Sequence, residues 1–317
     1  MRRFFLFFPV VLFLLIASGG CSRTPPAKTN GKLSVVSVIF PSYDFVRTIA
    51  GDKVNLVMLL PPGVESHSYD PAPQDIVTIE KSALFIYPGG QSYDWVDRIL
   101  KSVEAPADKM KVLKLIDFVP AVEEKLVEGM EDDAQPGAAA ATTYDEHVWT
   151  SPINAKIITA SIADALCALD PSDADFFKKN AADYAAALDE LDAAFRSVVD
   201  GAKRKTIVFG DRFPFRYLAD AYGLNYYAAF PGCSAETEPS AATLAFLINK
   251  VKSEHIPVVF YIELSNEKMA DTICEATGAR KLLLHSCHNL TRDDFKNGVS
   301  YLDIQKMNVE HLKEALW

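Results

Sequence analysis

Short β-rich runs alternate with helix-length segments from Lys32 to the end of the chain, which is the pattern of parallel βαβ units. The β-rich runs form two sets of four: LSVVSVI (33–39), VNLVMLL (54–60), ALFIY (83–87) and VLKLI (112–116), then TIVFG (206–210), LNYYAAF (224–230), PVVFYI (257–262) and KLLLH (281–285). A chain of 317 residues is also too long for one ordinary hydrophobic core. The pattern therefore predicts an α/β fold of two lobes, each with a four-stranded, mostly parallel sheet flanked by helices, and a cleft between the lobes.

One long helix is predicted between the two sets of strands. It covers 171–199, with Pro171 and acidic residues in its first turn, and Gly201 ends it. Roughly 28 residues at 1.5 Å each give a length of about 40 Å, which is enough to run beside two lobes. We therefore predict that this helix joins them. The predicted boundaries are an N-terminal lobe over 32–169, a linking helix over 170–201 and a C-terminal lobe over 202–317.

The first twenty residues have the layout of a signal peptide: two arginines, an apolar run and then small residues. The apolar run is too short for a comfortable membrane span. The sequence ASGGC that ends at Cys21 resembles a lipoprotein processing site, so we predict that Cys21 is acylated and becomes the new N-terminus. Ser18 stands where Leu is commoner, which leaves ordinary cleavage or a retained anchor as alternatives. Residues 21–31 then form a flexible tether, and the working protein lies outside the cytoplasmic membrane, anchored to it by lipid.

Charge and cysteine content narrow the function classes. The formal net charge of −10 argues against nucleic acid as a partner, because the sequence has no cluster of Lys and Arg to meet phosphates. Cys167 and Cys274 lie in apolar, helix-like stretches and are predicted to be buried small hydrophobic residues. Cys233 and Cys287 both follow strands. An exported protein permits a disulfide between them, although the sequence alone does not establish one.

Residues that can bind metals follow the predicted strands. In parallel α/β sheets, ligands bind at the loops beyond the carboxyl ends of the strands. The candidates in these loops are His67, Asp211, Cys233, Glu263, His285 and His288, and His147 lies just ahead of a helix. Four of the six histidines therefore fall on the predicted rim of the cleft, with acidic residues between them. This arrangement favours a metal site over four unrelated surface histidines.

Six segments resemble one family along essentially the whole mature chain. They are GVESHSYDPAPQDI (63–76), DEHVWTSPINAKII (145–158), FGDRFPFRYLADAYGL (209–224), EPSAATLAFLINKVK (238–252), VVFYIELSNEKMADTICEATGARKLLL (258–284) and YLDIQKMNVEHLKEAL (301–316). The family is that of the zinc/manganese-type solute-binding lipoproteins of bacterial ABC importers. The resemblance implies one buried divalent cation between two α/β lobes, a rigid linking helix, a monomer, and a permease with a cytoplasmic ATPase as partner.

The chain departs from this family at two ligand positions. In most members the strand end near residue 210 supplies a third His, and here Gly210 is followed by Asp211. The last family ligand, usually an Asp, corresponds to His285. The predicted metal ligands are therefore His67, His147, His285 and the carboxylate of Asp211. The further candidates that stay open are Glu238 and Glu263 as rival carboxylates, Cys287 as a thiolate, and His288 as the residue that orients a ligand.

Zinc is the predicted cargo because neutral imidazoles with one anionic ligand suit it, and manganese or iron remain alternatives. The acidic loop over 121–146 has no His before His147, so we expect it to scavenge metal weakly if at all. The predicted function is capture of one divalent transition metal outside the cell membrane and delivery to the permease. Ligands from two lobes would release the metal through a small shift of the lobes.

Two other classes of function compete with the carrier. A metal-dependent hydrolase would use Glu263 as general base, but the sequence has no HExxH motif, nucleophile elbow or phosphate-cradling glycine loop, so we expect no enzyme. An adhesin or interaction lipoprotein of the same fold, with weak or lost metal binding, is suggested by Gly210. The metal content of the purified protein distinguishes the adhesin from the carrier.

Overall fold

The structure is a computed structural model that describes residues 28–66, 69–102, 110–130, 143–234 and 238–317. The predicted signal peptide and the lipidation site at Cys21 lie outside the described residues. So do His67 and most of the second half of the acidic loop. These four predictions stay predictions.

Five strands form the sheet of the N-terminal lobe: β1 (Lys28–Thr29), β2 (Lys32–Ser37), β3 (Val54–Met58), β4 (Leu84–Tyr87) and β5 (Lys111–Lys114). Strands β3, β2, β4 and β5 lie side by side in that order and are parallel, while β1 is antiparallel to the start of β2. Every residue of β4 is buried, as expected for a strand with helices on both faces. The helices of this lobe are α1 (Phe40–Ala50), α2 (Pro73–Glu80) and α3 (Asp94–Ser102).

Two helices follow, α4 (Pro152–Leu169) and α5 (Ala174–Asp200). By length and composition alone, α4 could cross a membrane, but half of it is buried against the rest of the protein. Helix α5 has 27 residues, which corresponds to about 40 Å. It contacts both lobes, because Asn180 donates to the carbonyl of Ile49 at 3.0 Å and Tyr222 of the C-terminal lobe donates to Asp192 at 2.9 Å. The predicted long helix is confirmed, although it begins at Ala174, after a 3-10 turn over Pro171–Asp173.

Six strands belong to the C-terminal lobe: β6 (Thr206–Phe209), β7 (Arg212–Phe213), β8 (Asn225–Tyr227), β9 (Phe230–Pro231), β10 (Val258–Tyr261) and β11 (Arg280–Leu283). Strands β11, β10, β6 and β8 form a parallel sheet in that order, and β7 pairs with β9 as a separate parallel ribbon. The helices are α6 (Arg216–Tyr222), α7 (Ala241–Ser253), α8 (Lys268–Thr277), α9 (Arg292–Lys296) and α10 (Tyr301–Leu316).

The predicted α/β fold with a four-stranded parallel sheet in each half is confirmed. All eight predicted strands are present, and most end one to three residues earlier than the apolar runs. The run 224–230 is divided, since β8 stops at Tyr227 and the rest of the run forms β9. The last apolar residues of several runs, such as Val38, Leu60 and Ile116, lie just beyond the strands and are buried.

The larger of two hydrophobic core clusters in the described residues runs through both lobes, and the smaller one lies within the C-terminal lobe. Val35 and Phe85 of the N-terminal sheet belong to the same buried cluster as Phe209 and Phe260 of the C-terminal sheet, and Trp149 is part of it. Because the two halves share this core, separating them as rigid bodies would expose much apolar surface to water. The predicted domain boundaries stay predictions, since the core does not stop at either of them.

A buried carboxylate connects α1 to α10 across the lobes. Asp44 is fully buried, accepts the amide of Tyr301 at 2.7 Å and pairs with Arg47. Burial raises the pKa of the Asp44 carboxyl, and the charge of Arg47 opposes that rise. The side chain therefore satisfies an amide at the start of α10 that would otherwise be buried without a partner.

We expect Asp44→Ala to lower the free energy of unfolding by about 2–4 kcal/mol, because it leaves the Tyr301 amide and the Arg47 charge without their partner. Chemical denaturation in the presence of a chelator measures the change. The matched control is Asp220→Ala, which removes an exposed i,i+4 partner of Arg216 and should change stability by less than about 0.5 kcal/mol. Equal losses in the two variants would contradict a tethering role for Asp44.

Candidate metal site

A small cavity lies between the two lobes at the carboxyl ends of the strands. The cavity has a volume of about 20 Å³, which is room for one water molecule or one dehydrated cation. Its polar wall comes from both lobes: Glu65 and Ser66 from the loop after β3, His147 from the turn before α4, Arg212 from β7, and His288 from the loop after β11. The cleft predicted from the sequence therefore exists as a small pocket lined by both lobes.

His147 is fully buried and is oriented by Asp145. One carboxylate oxygen, Asp145 Oδ1, accepts the main-chain N–H of His147 at 2.8 Å and lies 3.1 Å from its Nδ1. A carboxylate on Nδ1 fixes the tautomer whose lone pair is on Nε2, which is the arrangement found behind metal-binding imidazoles. Burial lowers the pKa of His147, but the charges of Asp145, Glu146 and Glu124 more than offset this effect, so the pKa is raised.

His288 faces His147 across the pocket. The two ring centroids are 5.3 Å apart and the ring planes meet at 86°. On the pocket side, Nδ1 of His288 is 3.0 Å from Ser66 Oγ, and on the far side Nε2 is 2.6 Å from the hydroxyl of Tyr93. The sequence predicted only a supporting position for His288, and it is the histidine of this loop that lines the cavity.

His285 occupies a different environment and is not among the residues that line the cavity. Its Nδ1 accepts the amide of Cys287 at 3.0 Å, and its main chain is held on both sides by Asn308 of α10. The ring therefore closes the turn that carries His288. The structure brings His288, and not the predicted His285, together with His147.

The three candidate carboxylates have other partners. Asp211 accepts the amides of Arg212 at 2.8 Å and Ile262 at 3.3 Å, so it shapes the turn after β6 and does not line the cavity. Glu263 does line the cavity, but its oxygens accept the amides of Ser286 at 2.7 Å and His288 at 3.0 Å. Glu238 is exposed on the surface, 3.9 Å from Lys268.

The departure at Gly210 has a steric explanation. A Cβ on this residue would lie 2.5 Å from the Cα of Ala270 in α8, so the position has no room for any side chain. The residue of this turn that reaches the cavity is Arg212, which is 5% exposed. Its guanidinium pairs with Glu65 at 3.2 Å and donates to the carbonyl of Ser234 at 3.3 Å. The ligand expected at residue 210 is thus replaced by a cationic side chain two residues later.

Sequence reasoning missed both Arg212 and Glu65. Arg212 lies in β7, two residues after Gly210 and beyond the turn at Asp211, so no regular spacing along the chain singled it out. Glu65 precedes His67 by two residues in the first ligand motif, but a charged residue in a loop is ordinarily solvated, so nothing in the pattern singled it out.

The four cysteines in the described chain are free thiols, so Cys233 and Cys287 form no disulfide here. Cys167 and Cys274 are only partly buried, which corrects the prediction that they are core residues. Burial raises the pKa of Cys287 and of Cys233 well above that of an ordinary thiol, which disfavours the thiolate that a metal requires. Within the described residues, no group of three His, Cys, Asp or Glu side chains is placed to hold a metal, and His67 lies outside them.

The chain is similar to known proteins along most of its length. Residues 35–315 match the profile of a family described as zinc-uptake complex component A, periplasmic. The chain is 33% identical over 314 residues to the high-affinity zinc uptake system protein ZnuA of Bacillus subtilis, covering 98% of this chain and 97% of that protein. It is also 33% identical over 298 residues to the zinc-binding lipoprotein AdcA of Streptococcus pneumoniae, covering 93% of this chain but only 58% of AdcA.

The fold is likewise similar to that of solved structures. The crystal structure of the Zn(II)-bound ZnuA-like domain of Streptococcus pneumoniae AdcA superimposes with a TM-score of 0.74 and 31% sequence identity. The superposition covers 90% of this chain and 99% of that domain.

We expect Glu263→Gln to destabilise the protein by about 1.5–3 kcal/mol even with zinc removed, because the amide group turns an N–H toward the donors of Ser286 and His288. Chemical denaturation in chelator measures this loss. Glu238→Gln is the matched control and should leave stability unchanged, since its carboxylate is in solvent. If the two variants were equally stable, Glu263 would not be the residue that organises the His288 loop.

Proposed function

Since the chain belongs to the ZnuA family of zinc-uptake components, we propose that it captures one zinc ion in the pocket between its lobes and passes the ion to the permease of an ABC importer. The chain is a solute-binding transport protein and not an enzyme. It works outside the cytoplasmic membrane as one component of a zinc-uptake complex. Zinc is the cargo, and the protein must both bind it and let it go.

The observation that carries the binding proposal is the pair of imidazoles. Two imidazoles bound to one tetrahedral zinc, with Zn–N bonds of about 2.0–2.1 Å, place their ring centroids about 5 Å apart. The His147 and His288 centroids are 5.3 Å apart in a cavity sized for one small ion. Nitrogen donors also favour zinc over manganese.

The hydrogen bonds around each ring indicate which nitrogen faces the metal. Asp145 on Nδ1 of His147 leaves Nε2 as the donor atom. For His288, Tyr93 holds Nε2 from outside the cavity, so Nδ1 is the donor atom and zinc takes the place of the Ser66 hydroxyl. His67 comes directly after Ser66 in the chain, and we keep it as the third ligand.

Glu65 is the carboxylate that completes this set. It lines the cavity, whereas the carboxylate of Asp211 is engaged by backbone amides. One anionic ligand offsets part of the double charge of zinc in a desolvated site. The buried Asp145 beside His147 adds further negative potential, while burial raises the pKa of Glu146 to about 7, so that this carboxyl carries only part of a negative charge near neutral pH.

We also propose that a lipid on Cys21 anchors the protein to the membrane as a monomer. The signal-peptide layout and the small residues before Cys21 support this anchor. We expect Cys21→Ser to move the protein from the membrane fraction to the soluble fraction of producing cells. Retention of the variant in the membrane would indicate an uncleaved apolar segment as the anchor.

We expect His147→Ala and His288→Ala each to lower zinc affinity at least about tenfold, because each removes one of the few ligands. Competition against a chelating dye measures the affinity, and metal analysis after dialysis gives the stoichiometry. His311→Ala is the matched control, since His311 bonds to the carbonyl of Leu283 and does not line the cavity.

Two results would contradict the proposal at different levels. If the purified parent protein held less than about 0.1 zinc per chain and did not compete with the dye, the zinc-carrier function would be contradicted. The alternative function as an adhesin would then be favoured. If the parent bound zinc and His288→Ala bound it equally well while His285→Ala did not, the ligand would be His285 after all. Thermal unfolding in chelator shows whether each variant is folded.

A further inference from the structure

The pocket proposed to hold zinc already has a cationic side chain, Arg212, in its wall. The guanidinium of Arg212 lines the same cavity as His147 and His288, and its side chain is only 7% exposed. A guanidinium does not lose its charge at physiological pH, so it cannot make way for zinc by deprotonation. Two like charges in a desolvated pocket repel each other strongly, so zinc and this guanidinium cannot share the cavity as it stands.

Arg212 also engages the carboxylate that zinc would use. Glu65 belongs to the N-terminal lobe and Arg212 to the C-terminal lobe, and the two pair at 3.2 Å across the pocket. The Glu65 side chain is 31% exposed, so the pair stands between the cavity and solvent. For Glu65 to bind zinc, this ion pair must break.

The backbone of Arg212 is fixed, so only its side chain can move. Its amide donates to Asp211, and β7 pairs with β9 through the register Arg212↔Phe230. The guanidinium, in contrast, is held by one ion pair and by the carbonyl of Ser234 at 3.3 Å. The Arg212 side chain can therefore change its rotamer reversibly while its backbone stays in place.

We propose that the guanidinium of Arg212 competes with zinc for the carboxylate of Glu65. When zinc enters the pocket, it displaces the guanidinium from Glu65. When zinc leaves, the guanidinium pairs with Glu65 again. Arg212 thereby sets the zinc affinity below what the ligands alone would give, and it speeds dissociation. This inference rests on the proposed function, because it concerns the same pocket. It adds a residue that controls affinity and release without binding the metal.

Replacement of the charge tests this role. We expect Arg212→Gln to bind zinc at least about tenfold more tightly than the parent, and to lose it correspondingly more slowly in a chelator chase, because the competing charge is gone. Arg212→Lys keeps a charge and should stay close to the parent. Arg216→Gln removes a guanidinium four residues away, paired with Asp220 outside the pocket, and should change neither quantity.

Glu65→Gln completes the series. We expect it to bind zinc more weakly than the parent, since it removes the carboxylate and leaves the Arg212 charge facing the metal. The expected order of affinity is therefore Arg212→Gln, then the parent and Arg212→Lys, then Glu65→Gln. Thermal unfolding in chelator confirms that each variant is folded.

The outcomes separate the inference from the function on which it rests. If the parent binds zinc and Arg212→Gln binds it equally or more weakly, the competitor role is overturned and zinc capture stands. If the parent does not bind zinc but Arg212→Gln does, the competitor role is supported and capture by the parent is overturned. If neither binds zinc, both fail together.

Discussion

The carboxylate of Glu263 fixes the turn on which the site depends. From the end of β10 it accepts the amides of Ser286 and His288, and so it determines where the His288 ring points. The same turn is held from the N-terminal half, since Trp149 donates to the carbonyl of Ser286 and Asn289 donates to two carbonyls of the loop after β3. One anion therefore positions a proposed ligand and the contact between the lobes at once.

The shared core changes how release can work. A carrier whose lobes contact each other only through the metal ligands could release the metal by rotating one lobe against the other. In this protein, a continuous apolar cluster and α5 connect the two lobes. The loop over 61–66, in contrast, is held on the C-terminal side mainly by polar contacts, from Asn289, Arg212 and the amide of Gly63 to Leu290. Polar contacts exchange with water at small net cost. Local movement of this loop is therefore easier than a shift of whole lobes.

The sequence predicted the fold more fully than the site. Strands and the long helix follow from periodicity, which is a local property, and their positions differ from prediction mostly at the ends. The choice between His285 and His288 depends on Cys287, whose φ of +64° turns the chain between them. A non-glycine residue in that conformation is imposed by tertiary contacts, so no pattern in LLLHSCHNL could reveal it. The steric reason for Gly210 could not be found in the sequence either, because the limit comes from α8, which lies sixty residues away in the chain.

Charge balance in the pocket explains why a carrier would keep an arginine beside its ligands. Asp145, Glu146 and Glu124 are close enough to raise the pKa of His147, so the surroundings of that ring are negative before Glu65 is counted. Such negative surroundings attract a divalent cation, but they also slow its release. Arg212 neutralises the carboxylate of Glu65, whose side chain is 31% exposed. The zinc affinity of this pocket is then a small difference between the attraction of the buried acidic residues and the competition from the Arg212 guanidinium. A small movement of that guanidinium is enough to change the affinity.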